Sequence, residues 1–83
     1  MNKILVKVFV PMLQMTMEVF IPLQSMGYEV LELLKKAATE LSEGQFRGSG
    51  QTALCRHEDG TILNINLSVH ELGLRNGSEL MLI

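Results

Sequence analysis

The side chains of this sequence with the greatest chemical reactivity are one cysteine and two histidines, and two of the three lie close together. Cys55 and His57 are separated by one residue, in a segment whose composition predicts a strand. Because residues i and i+2 of a strand share a face, the thiol would lie beside the imidazole, and such a pair can form a reactive thiolate. No third group that could orient the histidine is identifiable. We therefore expect Cys55 to be a structural thiol.

Other kinds of catalytic or cofactor site are not indicated. Cys55, His57 and the distant His70 do not have the number or the spacing of a zinc-ligand set. Gly48 and Gly50 are not followed by the helix and the Lys-Ser/Thr pair of a phosphate-binding loop. We expect no catalytic residue, no metal and no cofactor, and a protein that is not an enzyme.

The composition restricts the classes of partner. The chain has 83 residues, a formal net charge of -2 and one cysteine. Nucleic acids and anionic membranes bind positively charged patches, so neither is expected as a partner. The longest apolar run, 4–13, is interrupted by Lys7 and Pro11 and is too short to insert across a membrane. A chain of 83 residues has the size of one domain, so we expect a single domain over 1–83. One cysteine cannot form an internal disulfide, which favours a reducing, cytoplasmic compartment.

Alternation of apolar and polar residues predicts five strands. In chain order they are 3–10, 16–21, 52–56, 62–65 and 79–83. The first two each end at a proline and are joined by a short connection, which is typical of a hairpin. Asp59-Gly60, between the third and the fourth, is a signal for a tight hairpin turn. The first and last strands are the most apolar, so we expect both at the centre of a sheet.

One long helix is predicted between the second and third strands. It should run from about Met26 to about Ser42, with Ser25 as its N-cap. Its apolar stripe, at helical spacing, consists of Met26, Val30, Leu33, Leu34, Ala37, Ala38 and Leu41. Further along, the sequence SVHE that starts at Ser68 is a capping box and predicts a single helical turn.

This order of elements, ββαββ followed by a helical turn and a last strand, resembles the β-grasp fold of ubiquitin. The opening strand KILVKVF and the closing run LGLRNGSELMLI, with Gly77-Ser78 before an alternating strand, are similar to the corresponding pieces of ubiquitin-like domains. The resemblance implies an α+β, ubiquitin-like β-grasp fold, in which a mixed sheet of four or five strands has one helix packed across one face.

More narrowly, the chain is similar to the YukD/EsaB family of small bacterial ubiquitin-like proteins. The length, the Asp59-Gly60 turn, the run SVHELGLRNG and the ending LMLI carry this resemblance. It implies a cytosolic accessory component whose partners are proteins of a membrane-embedded type VII secretion machine, peripheral to the inner face of the cell membrane through such a partner.

Two alternatives to this function stay open. One is that the chain is the N-terminal ubiquitin-like domain of a larger protein. The other is a carrier or a covalent modifier that lacks its Gly-Gly tail. Conjugation in ubiquitin-like proteins uses a flexible C-terminal Gly-Gly, and this chain ends in LMLI. We therefore expect a non-catalytic interaction module that is not a covalent modifier.

The face of the sheet away from the helix is the predicted binding surface. If Ile4, Val6 and Val8 face the helix, strand alternation turns Leu5 outward. The same reasoning for the other strands completes a set of four outward apolar residues: Leu5, Phe20, Met81 and Ile83. We expect them to form one exposed patch that binds a protein partner or a second copy of the chain. The alternative is that loops cover them, or that they are scattered exposed residues without a role.

Overall fold

The computed structural model describes residues 2–83 and confirms the predicted α+β, β-grasp architecture. Its strands are β1 (Lys3–Val10), β2 (Met15–Pro22), β3 (Leu54–Arg56) and β4 (Glu79–Leu82), and its helix is α1 (Gly27–Leu41). The four strands form one mixed sheet in the order β2-β1-β4-β3. β1 pairs antiparallel with β2 and parallel with β4, and β3 pairs antiparallel with β4. The first and last strands therefore lie at the centre, as their apolar composition predicts.

The core lies between the sheet and α1. In β1 the even-numbered residues from Ile4 to Val10 are buried, and the helix contributes Val30, Leu31 and Leu34. The predicted helical stripe is only partly correct. Leu33 and Leu41 are 44% and 59% exposed, while the unpredicted Leu31 is buried. Leu33 lies about 100° around the helix from Leu34, and Leu41 is the last helical residue, so neither reaches the sheet.

The helix begins one residue later than predicted, and its N-cap is Met26, not Ser25. The Glu29 side chain accepts a hydrogen bond from the Met26 backbone N–H, at 2.8 Å. The Ser25 carbonyl instead accepts a hydrogen bond from the Val69 N–H, at 2.8 Å. Ser25 thus belongs to the contact between the start of the helix and the segment that precedes β4.

The predicted fourth strand, 62–65, is wrong. Only a single bridge, between Cys55 and Ile62, joins this segment to β3. Beyond it the chain turns toward the helix. The Ile65 carbonyl accepts a hydrogen bond from the Tyr28 N–H at 2.9 Å, and the Leu67 carbonyl accepts one from the Gly27 N–H at 2.7 Å. Two of the N–H groups that every helix leaves unpaired at its start are satisfied in this way, so the segment caps α1 and does not extend the sheet.

The capping box at Ser68 is confirmed. The Ser68 N–H donates to Glu71 Oε1 at 2.9 Å, and the Glu71 N–H donates to Ser68 Oγ at 3.0 Å. The Leu72 N–H donates to the Ser68 carbonyl, which closes the single predicted turn. The hydrogen bonds from the Ser68 backbone N–H and from its hydroxyl lower the pKa of the Glu71 carboxyl.

This shift predicts a loss of stability in acid. A carboxyl whose pKa is lowered by folding stabilises the folded state above its unfolded-state pKa, and that contribution is lost as the pH falls through the folded-state pKa. We expect the melting temperature of Glu71→Gln to depend less steeply on pH in this acidic range than that of the unsubstituted chain. Thermal melting at a series of pH values measures both slopes. Glu58→Gln, at an exposed side chain outside the capping box, is the matched control. Equal slopes for all three proteins would contradict the assignment.

Candidate binding surface

The outer face of the sheet, away from α1, consists of rows of side chains that run across the strands. Paired residues share a face, so the register defines each row. The first row is Leu5 and Phe20. The second is Glu18, Lys7 and Glu79. The third is Thr16, Phe9, Met81 and Cys55. Ile83 follows β4 and exchanges two backbone hydrogen bonds with Ala53, at 2.9 and 2.7 Å, so these two residues continue the face as a fourth row.

Two of the four predicted site residues lie together in the first row. Leu5 and Phe20 are direct partners on β1 and β2, and Phe20 is 62% exposed. On the other side of Leu5, its N–H donates to Asn76 Oδ1 at 2.8 Å and its carbonyl accepts from the Gly77 N–H at 2.8 Å. The turn before β4 therefore adjoins Leu5, which is half-buried. We call Leu5 and Phe20 the Phe20 cluster.

The other two predicted residues lie in the third and fourth rows. Met81 is half-buried between Phe9 and Cys55, and Ile83 is 53% exposed. We call Phe9, Met81 and Ile83 the Met81 cluster. The charged second row lies between this cluster and the Phe20 cluster, so the four predicted residues form two groups and not the single patch that alternation alone predicts. The cause is the parallel register, which pairs Met81 with Phe9 and not with Leu5.

Three residues outside the predicted four also contribute to this face: Phe9, His57 and Ile62. Phe9 stacks on His57 with ring centroids 5.4 Å apart. The Nδ1 atom of His57 lies 3.6 Å from Glu79 Oε1. Ile62, bridged to Cys55, is 66% exposed. Alternation along β1 already turns Phe9 outward, but nothing in the sequence indicates that Ile62 lies beside the sheet, because its strand is not formed.

Cys55 is completely buried, and this burial raises the pKa of its thiol. The ring of His57 stacks on Phe9 and faces Glu79. Neither observation favours an activated thiolate, which requires a lowered pKa and access to solvent. Within residues 2–83, no group of three or more His, Cys, Asp or Glu side chains is arranged to hold a metal ion. In the same range, no helix combines the length and the apolar character needed to cross a membrane.

We expect Cys55 to react slowly with alkylating reagents. Burial limits access to the sulfur, and the raised pKa leaves little thiolate at neutral pH. Its rate with iodoacetamide should fall well below that of a free-cysteine peptide, and it should rise to the peptide's rate when the chain is unfolded in urea. A native rate about tenfold faster than that of the peptide, whose thiol has a pKa of about 8.5, would make Cys55 a reactive residue.

Comparisons with known proteins find similarity in structure only. No protein-family model matches the sequence, and no curated protein matches it. The ubiquitin-like domain of the Mycobacterium tuberculosis type VII secretion protein ECCD1 superposes with a TM-score of 0.79 and 17% identity, covering 100% of this chain and 99% of that one. A chain of the MycP5-free ESX-5 inner membrane complex gives 0.73 and 20%, covering 100% of this chain and 21% of that one.

A third similar structure comes from a different setting. A chain of the toluene 4-monooxygenase HD complex superposes with a TM-score of 0.76 and 15% identity, over 96% of this chain and 95% of that one. Likeness at such low identity is a likeness of fold. The chain thus has a ubiquitin-like β-grasp fold, which proteins of unrelated activity share.

Proposed function

We propose that residues 1–83 form one ubiquitin-like domain that acts as a non-catalytic protein-interaction module. The observation that carries this proposal is the outer face of the sheet. The helix covers the opposite face, and Phe20, Ile62 and Ile83 are each more than half exposed. Exposed apolar patches rimmed by polar residues usually mark an interface, and the Phe20 and Met81 clusters, with the charged row between them, are two such patches.

The arrangement of the outer face suits a specific partner. The Phe20 and Met81 clusters provide apolar area, and each side chain that a partner buries contributes about 1.5–3 kcal/mol. The row between them carries Glu18, Lys7 and Glu79, whose alternating charges would favour one orientation of the partner over others.

We further propose that the partner belongs to the cytosolic side of a type VII secretion machine and that the chain is an accessory component of the YukD/EsaB kind. The likeness to the ECCD1 ubiquitin-like domain and to part of an inner membrane complex supports this assignment. The chain would then be cytoplasmic and peripheral to the membrane through its partner. A second candidate, a ubiquitin-like domain of a larger protein, is favoured by the ESX-5 match, in which the similar region is 21% of the longer chain.

Affinity capture with matched variants tests this proposal. The immobilised chain is incubated with lysate from cells that express a type VII system, and the bound secretion components are quantified by mass spectrometry. We expect Ile83→Ser to reduce their capture about tenfold, as loss of one buried apolar side chain would. Leu33→Ser removes a comparably exposed leucine from the helix and should leave capture unchanged. Absence of secretion components, or an equal loss with Leu33→Ser, would contradict the proposal.

A further inference from the structure

The long outer strand of the sheet has an unpaired edge. β2 contains 8 residues and pairs on one side with β1, without a bulge, from Met15 to Pro22. It is the terminal strand in the order β2-β1-β4-β3, so its other side has no partner strand within residues 2–83. The opposite terminal strand, β3, contains 3 residues and is bridged by Ile62.

The hydrogen bonds of β1 define which backbone groups of β2 are free. The Lys7 N–H donates to the Ser78 carbonyl at 2.9 Å, and the Leu5 carbonyl accepts from the Gly77 N–H at 2.8 Å. Leu5 and Lys7 thus direct their backbone groups toward β4. Because these directions alternate along a strand, the even-numbered residues of β1, such as Val6, direct their backbone N–H and carbonyl groups toward β2.

The register between β1 and β2 determines which β2 residues bond to β1 and which have free backbone groups. Val6 pairs with Val19 and Val8 pairs with Met17, so those β2 residues use their backbone groups within the sheet. The residues between and beside them, Thr16, Glu18 and Phe20, direct their N–H and carbonyl groups away from β1, toward the free side.

This edge has few of the features that normally prevent strand addition. Natural edge strands avoid this pairing by being short, by containing a bulge, or by carrying charged side chains, especially lysine, or proline along the edge. β2 is long and regular, and its proline, Pro22, lies at its end. The one charged residue of the strand is Glu18, at the centre of the free groups. A short run of main-chain hydrogen bonds is therefore available to an extended segment of another chain.

Glu18 also indicates which strand fits. If a second copy paired antiparallel about a two-fold axis so that all three free residues were matched, Thr16 would face Phe20 and Glu18 would face Glu18. Like charges directly opposite each other destabilise a sheet, whereas an opposite charge stabilises it. A basic side chain is thus favoured across from Glu18, and an apolar one across from the exposed Phe20.

We propose that the free edge of β2 binds an extended, basic-apolar peptide segment of a partner protein as an antiparallel strand. A lysine or arginine lies opposite Glu18, and apolar residues lie opposite Phe20 and the half-buried Val19. This binding mode goes beyond the proposed function, because it uses main-chain pairing at the sheet edge and needs no secretion component.

A five-residue peptide provides the probe. In the acetylated and amidated peptide VIKVT, the first, third and fifth residues align with Phe20, Glu18 and Thr16. The purified, isotopically labelled protein is titrated with millimolar peptide and followed by NMR. We expect saturable chemical-shift changes that are largest at the backbone amides of Thr16, Glu18 and Phe20. The peptide VIEVT should bind about fivefold more weakly, since repulsion replaces attraction. The variant Glu18→Lys should reverse the order of the two peptides.

N-methylation separates main-chain pairing from side-chain contact. A methyl group on the backbone nitrogen of the lysine in VIKVT removes an N–H donor that points at the free edge of β2, so binding should be lost. A methyl group on the backbone nitrogen of the isoleucine, whose N–H points away from β2, should leave binding in place. Equal behaviour of the two methylated peptides, or no saturable shift with VIKVT, would overturn the proposal. Concentration-dependent shifts at the same amides without peptide would overturn it in favour of a second copy.

Discussion

Substitution of Gly27 by alanine is expected to lower the free energy of unfolding by about 1–3 kcal/mol, the usual cost of forcing extra atoms into a well-packed site. A Cβ atom at this position would lie 2.7 Å from the Cα of Ile65. The obstacle is backbone, and it is held in place by the hydrogen bonds from Gly27 and Tyr28 to the segment 65–67. In an ordinary helix the same substitution would stabilise by up to about 1 kcal/mol, so the sign of the effect is diagnostic.

Urea unfolding followed by circular dichroism measures this effect. Gly50→Ala is the control, because its Cβ would meet nothing within 4 Å and its backbone does not need glycine. That variant should be neutral, or more stable by up to about 1 kcal/mol through a less flexible unfolded state. If Gly27→Ala were the more stable variant, the segment 65–67 would not lie against the start of the helix.

The features that the sequence predicts correctly depend on neighbouring residues. The alternation from Lys3 to Val10, with Pro11 after it, predicts β1 with both of its ends. The spacing of Ser68 and Glu71 predicts the capping box, since its two hydrogen bonds join residues three apart. In each case the pattern and the interaction that it produces lie within the same short segment.

The features that the sequence does not predict depend on residues far apart in the chain. Ile62 begins a segment with a strand-like sequence, but its successors bond to the start of α1, and no local pattern reveals this competition. The candidate site shows the same limitation. Alternation predicts which way Leu5 and Met81 point, but their separation depends on the parallel register of β1 and β4, which is fixed by contacts across the whole chain.

Two adjacent residues of β2 are expected to differ strongly in their contribution to stability. Ile21 is completely buried, and Ile21→Ala should lower the free energy of unfolding by about 2–5 kcal/mol through lost burial and a residual cavity. Phe20 is 62% exposed, and Phe20→Ala should cost at most about 1 kcal/mol, the contribution of its cross-strand pair with Leu5. Ile21 is chosen for this test because Val19, the other neighbour of Phe20, packs against the core but is only half-buried.

Chemical denaturation of both variants, with slopes compared to confirm that each unfolds in one step, gives the two free energies. Each strand residue faces opposite to its neighbour, so a shift of β2 by one position would exchange the two effects. Similar losses for Phe20→Ala and Ile21→Ala would mean that the described register of β2 is wrong. The Phe20 cluster and the free backbone groups of Thr16, Glu18 and Phe20 both depend on that register, so this one measurement tests the common basis of the two proposed binding surfaces.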